Sequence, residues 1–404
     1  MKNLTRKILS VGVVASFSLP MTAGATNGYF GHGIGMKSMG MGGAGIALAQ
    51  DSLASATNPA AAAMVGDRVD FGLNYFRPDR GAVLTGSGAD GTYSGNETQN
   101  FLIPEFGYNV DLGDGKGFGI TVVGRGGMNT DYDKIIGLFS STEKTSMDLS
   151  QLYVSPTFAM EVNDKHSVGI TLNMIYQRFK ATGLQNFGVT SAGYDSSTGY
   201  SVGLGWTGEI SPTVTMGVSY TSRGKMDEFD KYSKLFAENG DFDIPATAGI
   251  GLAVETTPEV TLAFDVTKIF YSDVNAVSNP LTNPHNLGAV NGSGFGWEDM
   301  TVYKLGVSWE YQPDLVLRAG WNHGAQPIPA SQTLFNIVAP GVVEDHLTLG
   351  ATWTLENDAE LTLMYMHAFE NEVKGSSSVA LYGGGESDIK MSQNAFGVSY
   401  GWDF

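Results

Sequence analysis

The sequence predicts an all-β fold: a transmembrane antiparallel β-barrel of about 14 strands, its lumen plugged by the chain's own N-terminal segment. Three observations predict it. Apolar residues alternate with small or polar ones through the last strand, the same alternation recurs along most of the chain between connections that are short and long by turns, and a glycine-rich N-terminal stretch breaks the pattern.

Taken in order, Lys2, Arg6 and Lys7 precede an apolar run from Ile8 to Met21, and Ala23-Gly24-Ala25 offers small residues for cleavage. This is the layout of a secretory signal peptide, so residues 1–25 are expected to be removed. No later apolar run reaches the roughly 18 residues that a membrane-crossing helix needs. Loss of the three cations takes the formal charge from −18 to −21, and a chain so acidic is not built for nucleic acid. The absence of cysteine excludes a disulfide scaffold, and a charged fraction of 16% is low for a soluble globular domain. With no linker or shift in composition after residue 66, residues 67–404 read as one domain.

Residues 26–66 do not alternate. They run from Asn27-Gly28-Tyr29-Phe30-Gly31 through glycines to Gly45, continue with helical composition over 46–57, and end in Asn58-Pro59-Ala60. A barrel of this size leaves a channel unless something fills it. Glycine allows close backbone packing and unusual φ/ψ angles, which suits a plug. The segment is therefore expected inside the lumen, with a periplasmic tail as the alternative.

Alternating segments follow at 67–77, 98–112, 116–127, 147–162, 166–181, 198–211, 213–223, 244–256, 258–271, 300–312, 314–323, 345–356, 358–370 and 390–404. Short turns such as Asn163–Lys165 and Ser211-Pro212 are assigned to the periplasm, and the long segments 78–97, 128–146, 182–197, 224–243, 272–299, 324–344 and 371–389 to the outside. In the last strand Phe396, Val398, Tyr400, Trp402 and Phe404 face one way, and Ala395, Gly397, Ser399, Gly401 and Asp403 the other. The apolar, aromatic face suits lipid and the small, polar face suits a lumen. Phe404 also resembles the terminal signature of bacterial outer-membrane proteins, so the expected location is the bacterial outer membrane, multi-pass. The expected partners there are outer-membrane lipid, lipopolysaccharide and the barrel-assembly machinery, and the expected state is a monomer.

Gly40-Met41-Gly42-Gly43-Ala44-Gly45-Ile46-Ala47, Asp51 and Asn58-Pro59-Ala60 carry a further signal. So do Tyr303-Lys304-Leu305-Gly306, Leu317-Arg318-Ala319-Gly320-Trp321 and Pro327-Ile328-Pro329. In this order they resemble the FadL-type outer-membrane transporters of long-chain fatty acids and hydrocarbons. The resemblance implies a 14-stranded barrel with a hatch at Gly42, Gly43, Gly45, Asn58, Pro59 and Ala60. It also implies passive uptake of hydrophobic molecules by way of an extracellular groove, an internal pocket and a lateral opening at a kinked strand.

Strand parity turns Arg125, Lys304 and Arg318 toward the lumen, with Glu310, and turns Arg178 toward lipid. The three cations can meet a ligand carboxylate or pair with lumen acids such as Asp265 and Glu310. Phe30, Phe229, Leu235 and Phe236 are the apolar ligand-contact candidates. Ile135, Ile136, Leu138 and Phe139 form a second loop cluster, while 182–197 is polar and offers little groove surface. Gly199-Tyr200-Ser201-Val202-Gly203 and Gly40-x-Gly42-x-x-Gly45 match a nucleophile elbow and a dinucleotide fingerprint, but neither lies in the strand–turn–helix setting its chemistry needs. The six histidines show no metal-ligand spacing. The chain is read as a non-enzyme without cofactor or metal. The alternatives are a nonspecific porin and a structural or adhesin barrel.

Overall fold

The computed structural model describes residues 26–404. The signal peptide expected over 1–25 lies outside the described residues.

Fourteen strands close into one antiparallel barrel. They are β1 (Arg68–Thr85), β2 (Phe101–Gly113), β3 (Lys116–Asp131), β4 (Ser146–Asn163), β5 (His166–Thr182), β6 (Asp195–Ser211) and β7 (Val214–Thr221). The second half comprises β8 (Thr247–Thr257), β9 (Val260–Ile269), β10 (Met300–Gln312), β11 (Leu315–Gly324), β12 (Asp345–Thr354), β13 (Glu360–Val373) and β14 (Glu386–Asp403). Each strand pairs with its sequence neighbour, and β14 returns to β1 in register from Arg68–Asp403 to Thr85–Glu386. Closure joins the first strand to the last, so the sheet has no open end. The side-chain alternation of β14 is the one read from the sequence: Phe396 and Phe404 are more than half exposed outward, and Ala395 is buried inward. Phe404 stacks on Tyr108 of β2.

The β1–β14 ribbon rises higher than the sequence reading, which ended β1 at residue 77 and began β14 at 390. Pro78 has no N–H to give a ladder. It falls where one edge of β1 changes partner. The last pair with β2 is Phe76–Phe101, and the first with the short ribbon Gly91–Ser94 is Gly81–Ser94, while the ladder to β14 continues through Pro78–Gln393.

Residues 26–66 lie within the barrel and touch strands around its wall. Helical composition over 46–57 does not yield a helix there. The segment has one α-helical turn at Met36–Met39 and 3-10 turns at Ala54–Ala56 and Pro59–Ala63. Hydrogen bonds to inward-facing wall side chains replace the helical ladder. Asn58 shows this: its Nδ2 donates to the carbonyls of Ile46 and Trp206 and to Thr207 Oγ1, and its Oδ1 accepts from Ala60 N, capping the turn that Pro59 starts.

Candidate functional site

The glycine motif of the N-terminal segment lies against the late strands that carry the second motif. Gly42 N donates to Thr348 Oγ1 at 2.8 Å, Asn322 Nδ2 donates to Gly42 O at 3.1 Å, and Lys304 Nζ donates to Gly43 O at 3.3 Å. Asp265 Oδ2 accepts from Gly45 N at 2.8 Å and Ile46 N at 3.0 Å. Gly42 adopts φ +70°, and a Cβ there would run into the backbone of Trp321. From the wall side, a Cβ on Gly320 would strike the Met41–Gly42 peptide. Two motifs far apart in sequence are thus two sides of one contact that tolerates no side chain at either glycine.

Above this contact Phe30, Arg125 and Lys304 line one cavity of about 90 Å³, with Ile34, Ile46 and Ile269 also in its wall. Arg125 sits at a β-bulge where the β3–β4 register shifts between Gly124 and Gly126. The bulge leaves its side chain on the lumen side, with the guanidinium carbon 5.4 Å from the centre of the Tyr153 ring. Among the described residues Arg125 makes no ion pair, whereas Lys304 lies directly across the β9–β10 ladder from Asp265. The cavity therefore carries two cations, and the carboxylate across the ladder from Lys304 is already engaged by backbone N–H groups.

The other expected site residues fall elsewhere. Arg318 is inward but lower, donating from Nε to Gln50 Oε1 at 3.0 Å and from Nη1 to Thr352 Oγ1 at 2.6 Å, so it braces the N-terminal segment and does not reach the cavity. Glu310, expected to face inward as a partner for the cations, is exposed, because the β10–β11 register shifts between Glu310 and Gln312 at the strand's end. Arg178 faces outward as parity requires and lies over Tyr194 at 4.1 Å.

Phe229, Leu235 and Phe236 are buried at the extracellular end. They begin a chain of ring contacts. Phe236 meets Phe242 at 4.7 Å, Phe242 meets Tyr29 at 6.0 Å, and Tyr29 stacks on Phe30 at 5.0 Å, beside the cavity. Tyr271 and Trp297 close the other side of Tyr29 at 5.5 and 5.9 Å. Segment 182–197, read as polar and of little surface, contributes buried Leu184 and Val189 and places Phe187 within 5.0–5.3 Å of Phe139, Phe335 and Tyr382. Three apolar residues spread among polar ones show no period, so only the folded loop gathers them. Sequence reasoning also passed over Tyr29, Tyr271 and Trp297, and over Glu105, whose place three residues before Tyr108 on a dyadic strand was enough to turn it inward.

The wall is incomplete beside the bulge. The β2–β3 ladder stops at Glu105–Val123, although Phe101–Pro104 go on pairing with β1 and Gly126–Asp131 with β4. The next bridge between these two stretches of chain is Asn96–Asp131. Between the two points the free edge of β3 is taken by the N-terminal segment. Phe30 bridges Gly126, Gly127 N donates to Tyr29 O at 2.8 Å, and Gly31 N donates to Arg125 O at 3.3 Å. A second cavity of about 40 Å³ lies behind this break, with Ile103, Pro104 and Gly124 in its wall, and it is separated from the first by Gly31–Ile34.

Residues 31–404 match the profile of a family described as "Outer membrane protein transport protein (OMPP1/FadL/TodX)". The chain belongs to this family. It is a multi-pass barrel of the bacterial outer membrane, and its relatives are transporters of hydrophobic compounds. Among solved structures, the Pseudomonas putida toluene transporter TodX shares the fold at TM-score 0.69 and 18% identity, with 92% of this chain and 99% of that one covered. A Pseudomonas aeruginosa FadL homologue gives TM-score 0.73 and 16% identity, over 93% and 100%. The Ralstonia pickettii toluene transporter TbuX gives 0.65 and 16%, over 92% and 99%. Comparison with curated proteins by sequence returned no significant match.

Proposed function

We propose that this barrel takes up long-chain fatty acids or related hydrophobic molecules passively, that residues 26–66 act as its hatch, and that cargo leaves sideways through the break between β2 and β3. The observation that carries this reading is the convergence of Phe30, Arg125 and Lys304 on one cavity beside an interrupted wall. Phe30 supplies apolar contact and the two cations suit a carboxylate head; Arg125 has no ion-pair partner among the described residues, so its donors are available. The aromatic chain from Phe229 and Phe236 to Phe30 gives a dry route inward from the extracellular loops.

A cavity of about 90 Å³ is far smaller than the few hundred Å³ that drug-sized ligands occupy, so an acyl chain enters only if the hatch moves. The movable part is the stretch Tyr29–Ile34, which fills the free edge of β3 and divides the two cavities. Its displacement joins the cavities and opens the break at the same time. We assign no catalytic step to the chain.

The test is uptake of radiolabelled fatty acid and of a neutral hydrocarbon by cells carrying Arg125→Gln, Lys304→Gln or a cross-link between cysteines at 103 and 124. Fatty-acid uptake is expected to fall in the charge variants while hydrocarbon uptake persists, and both are expected to fall in the cross-linked protein. Equal loss of both cargoes in the charge variants sinks the carboxylate reading, and uptake through the cross-linked barrel sinks the lateral exit. Steady open-pore conductance of the purified wild type in planar bilayers supports the porin alternative instead.

A further inference from the structure

The cavity behind the wall break has a polarity that an exit for hydrocarbon does not require. Glu105 and Asn74 both line it, both are more than nine-tenths buried, and they are diagonal neighbours on the lumen face of the β1–β2 pair, where Asn74 stands opposite Ile103 and Glu105 opposite Gly72. Glu105 Oε2 accepts from Gly35 N at 3.1 Å, but Glu105 Oε1 and Asn74 Oδ1 have no hydrogen-bond partner among the described residues. His32 forms another part of the lining. Its Nε2 lies 3.3 Å from the carbonyl of Met39, which can only accept, so Nε2 carries the hydrogen and Nδ1 is left as a third acceptor. Burial, then the neighbouring His346 and Lys304, push His32 down to about 3, so the ring is neutral in ordinary conditions. The hydroxyl of Thr26, also in the lining, is already committed to Phe30 O at 3.1 Å. The lining side chains thus present unsatisfied acceptors, and the Asn74 amide, which both donates and accepts, is the one uncommitted donor among them.

Buried acceptors without partners cost free energy that a donor of the right reach recovers. We propose that this cavity is a second cargo subsite, one that binds the O–H group of a hydrophobic molecule at the wall break: the hydroxyl of a long-chain alcohol, or a carboxylic acid in its neutral form. The inference rests on the lateral route proposed above for its place in transport, and on the orphaned acceptors alone for its chemistry. It also fits what the membrane demands, because a head group enters hydrocarbon far more readily neutral than ionised. Arg125 and Lys304 would hold an anion in the first cavity; Glu105 and Asn74 accept a hydrogen bond from the neutral form in the second.

Equilibrium binding separates this proposal from the transport reading. Full-length protein in phospholipid vesicles is incubated with an equimolar mixture of 1-dodecanol and dodecane, and the ratio retained above that of empty vesicles is measured by mass spectrometry. Because both ligands meet the same protein, partial misfolding of a variant cancels in the ratio. The wild type is expected to retain dodecanol preferentially. Asn74→Leu and Glu105→Leu are each expected to lower the preference about tenfold, as the loss of one buried hydrogen bond requires. Repeating the mixture with dodecanoic acid in place of dodecanol tells the two O–H sources apart: a parallel loss in the same variants assigns the site to neutral acids as well as alcohols, and a loss with dodecanol alone assigns it to alcohols. A ratio in either variant equal to that of the wild type means that the acceptors hold only resident water, and overturns the proposal. Uptake by the 103–124 cross-linked barrel bears on the lateral route, whereas the retained ratio is read on protein without the cross-link and bears on the subsite alone.

Discussion

The N-terminal segment is held in two different ways along its length. Its lower part is fastened by charges and side-chain hydrogen bonds to many strands. Lys37 donates to Glu360 at 2.6 Å, Arg68 pairs with both Glu360 and Asp70, Ser52 Oγ donates to Asp70 at 2.6 Å, and Asp265, Arg318 and Thr207 hold Gly45, Gln50 and Asn58. Its upper part, Asn27–Ile34, has little more than backbone bridges to β3, the Tyr271 hydroxyl and stacked rings. Hydrogen bonds with buried charges are costly to break singly, whereas stacked rings can re-pack. The difference makes the lower part an anchor and the upper part, in the proposed route, the leaf that moves.

The strongest way to break that contrast is at the anchor's glycine contact. Gly42→Val puts a β-branched residue at φ +70° against the Trp321 backbone of the wall, and is expected to cost about 3 kcal/mol or more and to expel the segment. Planar-bilayer recordings are expected to change from closed to conducting; a silent variant with wild-type melting would show that the contact is not required. Glu360→Gln comes next. It removes the charge shared by Lys37 and Arg68, and since the Glu360 side chain is 24% exposed the expected loss is about 2 kcal/mol, below that of a fully buried pair. Hydrogen exchange of amides 36–54 is expected to quicken roughly 30-fold, with residues 27–34 little affected.

Tyr271→Phe tests the leaf. The hydroxyl donates to Asn27 O at 2.7 Å and accepts from Tyr29 N at 3.2 Å, so its loss is expected to cost about 1 kcal/mol and to speed exchange at Tyr29 and Gly31 without touching the anchor. Equal acceleration in both parts would mean that the segment moves as one body. The smallest effect is expected from pH at the neighbouring loop. Burial, then Asp243, hold Asp241 up to about 7, against an ordinary value of 3.8. An acid with a raised folded value takes up its proton in the folded loop before the unfolded chain does. Loop stability therefore rises as pH falls from 7 toward 4, and declines as pH rises through 7. Proteolysis within 224–243 is expected to be slower in mild acid than in mild base, and Asp241→Asn is expected to abolish the difference.

The barrel itself was legible because a dyad written along one strand needs no knowledge of any other. β14 and β12 alternate as read, and so the strand count and the inward direction of Arg125, Lys304 and Arg318 followed from local pattern. Parity could not tell how high each cation sits. Arg125 and Lys304 share a cavity and Arg318 does not, because height depends on the shear between strands and on which inward neighbours are small. Nor could it place Phe187 in an aromatic group, since its partners Phe139, Phe335 and Tyr382 come from three other loops.

By itself the sequence determined the class of fold, the strand directions and the face each residue presents, all consequences of a period of two acting within single strands. Tertiary structure alone decided where the wall is broken, which cations share a cavity, and that buried Glu105 and Asn74 keep acceptors without donors. Each of these is a relation between strands or between wall and plug, and depends on where two ladders stop, a length that no single strand encodes.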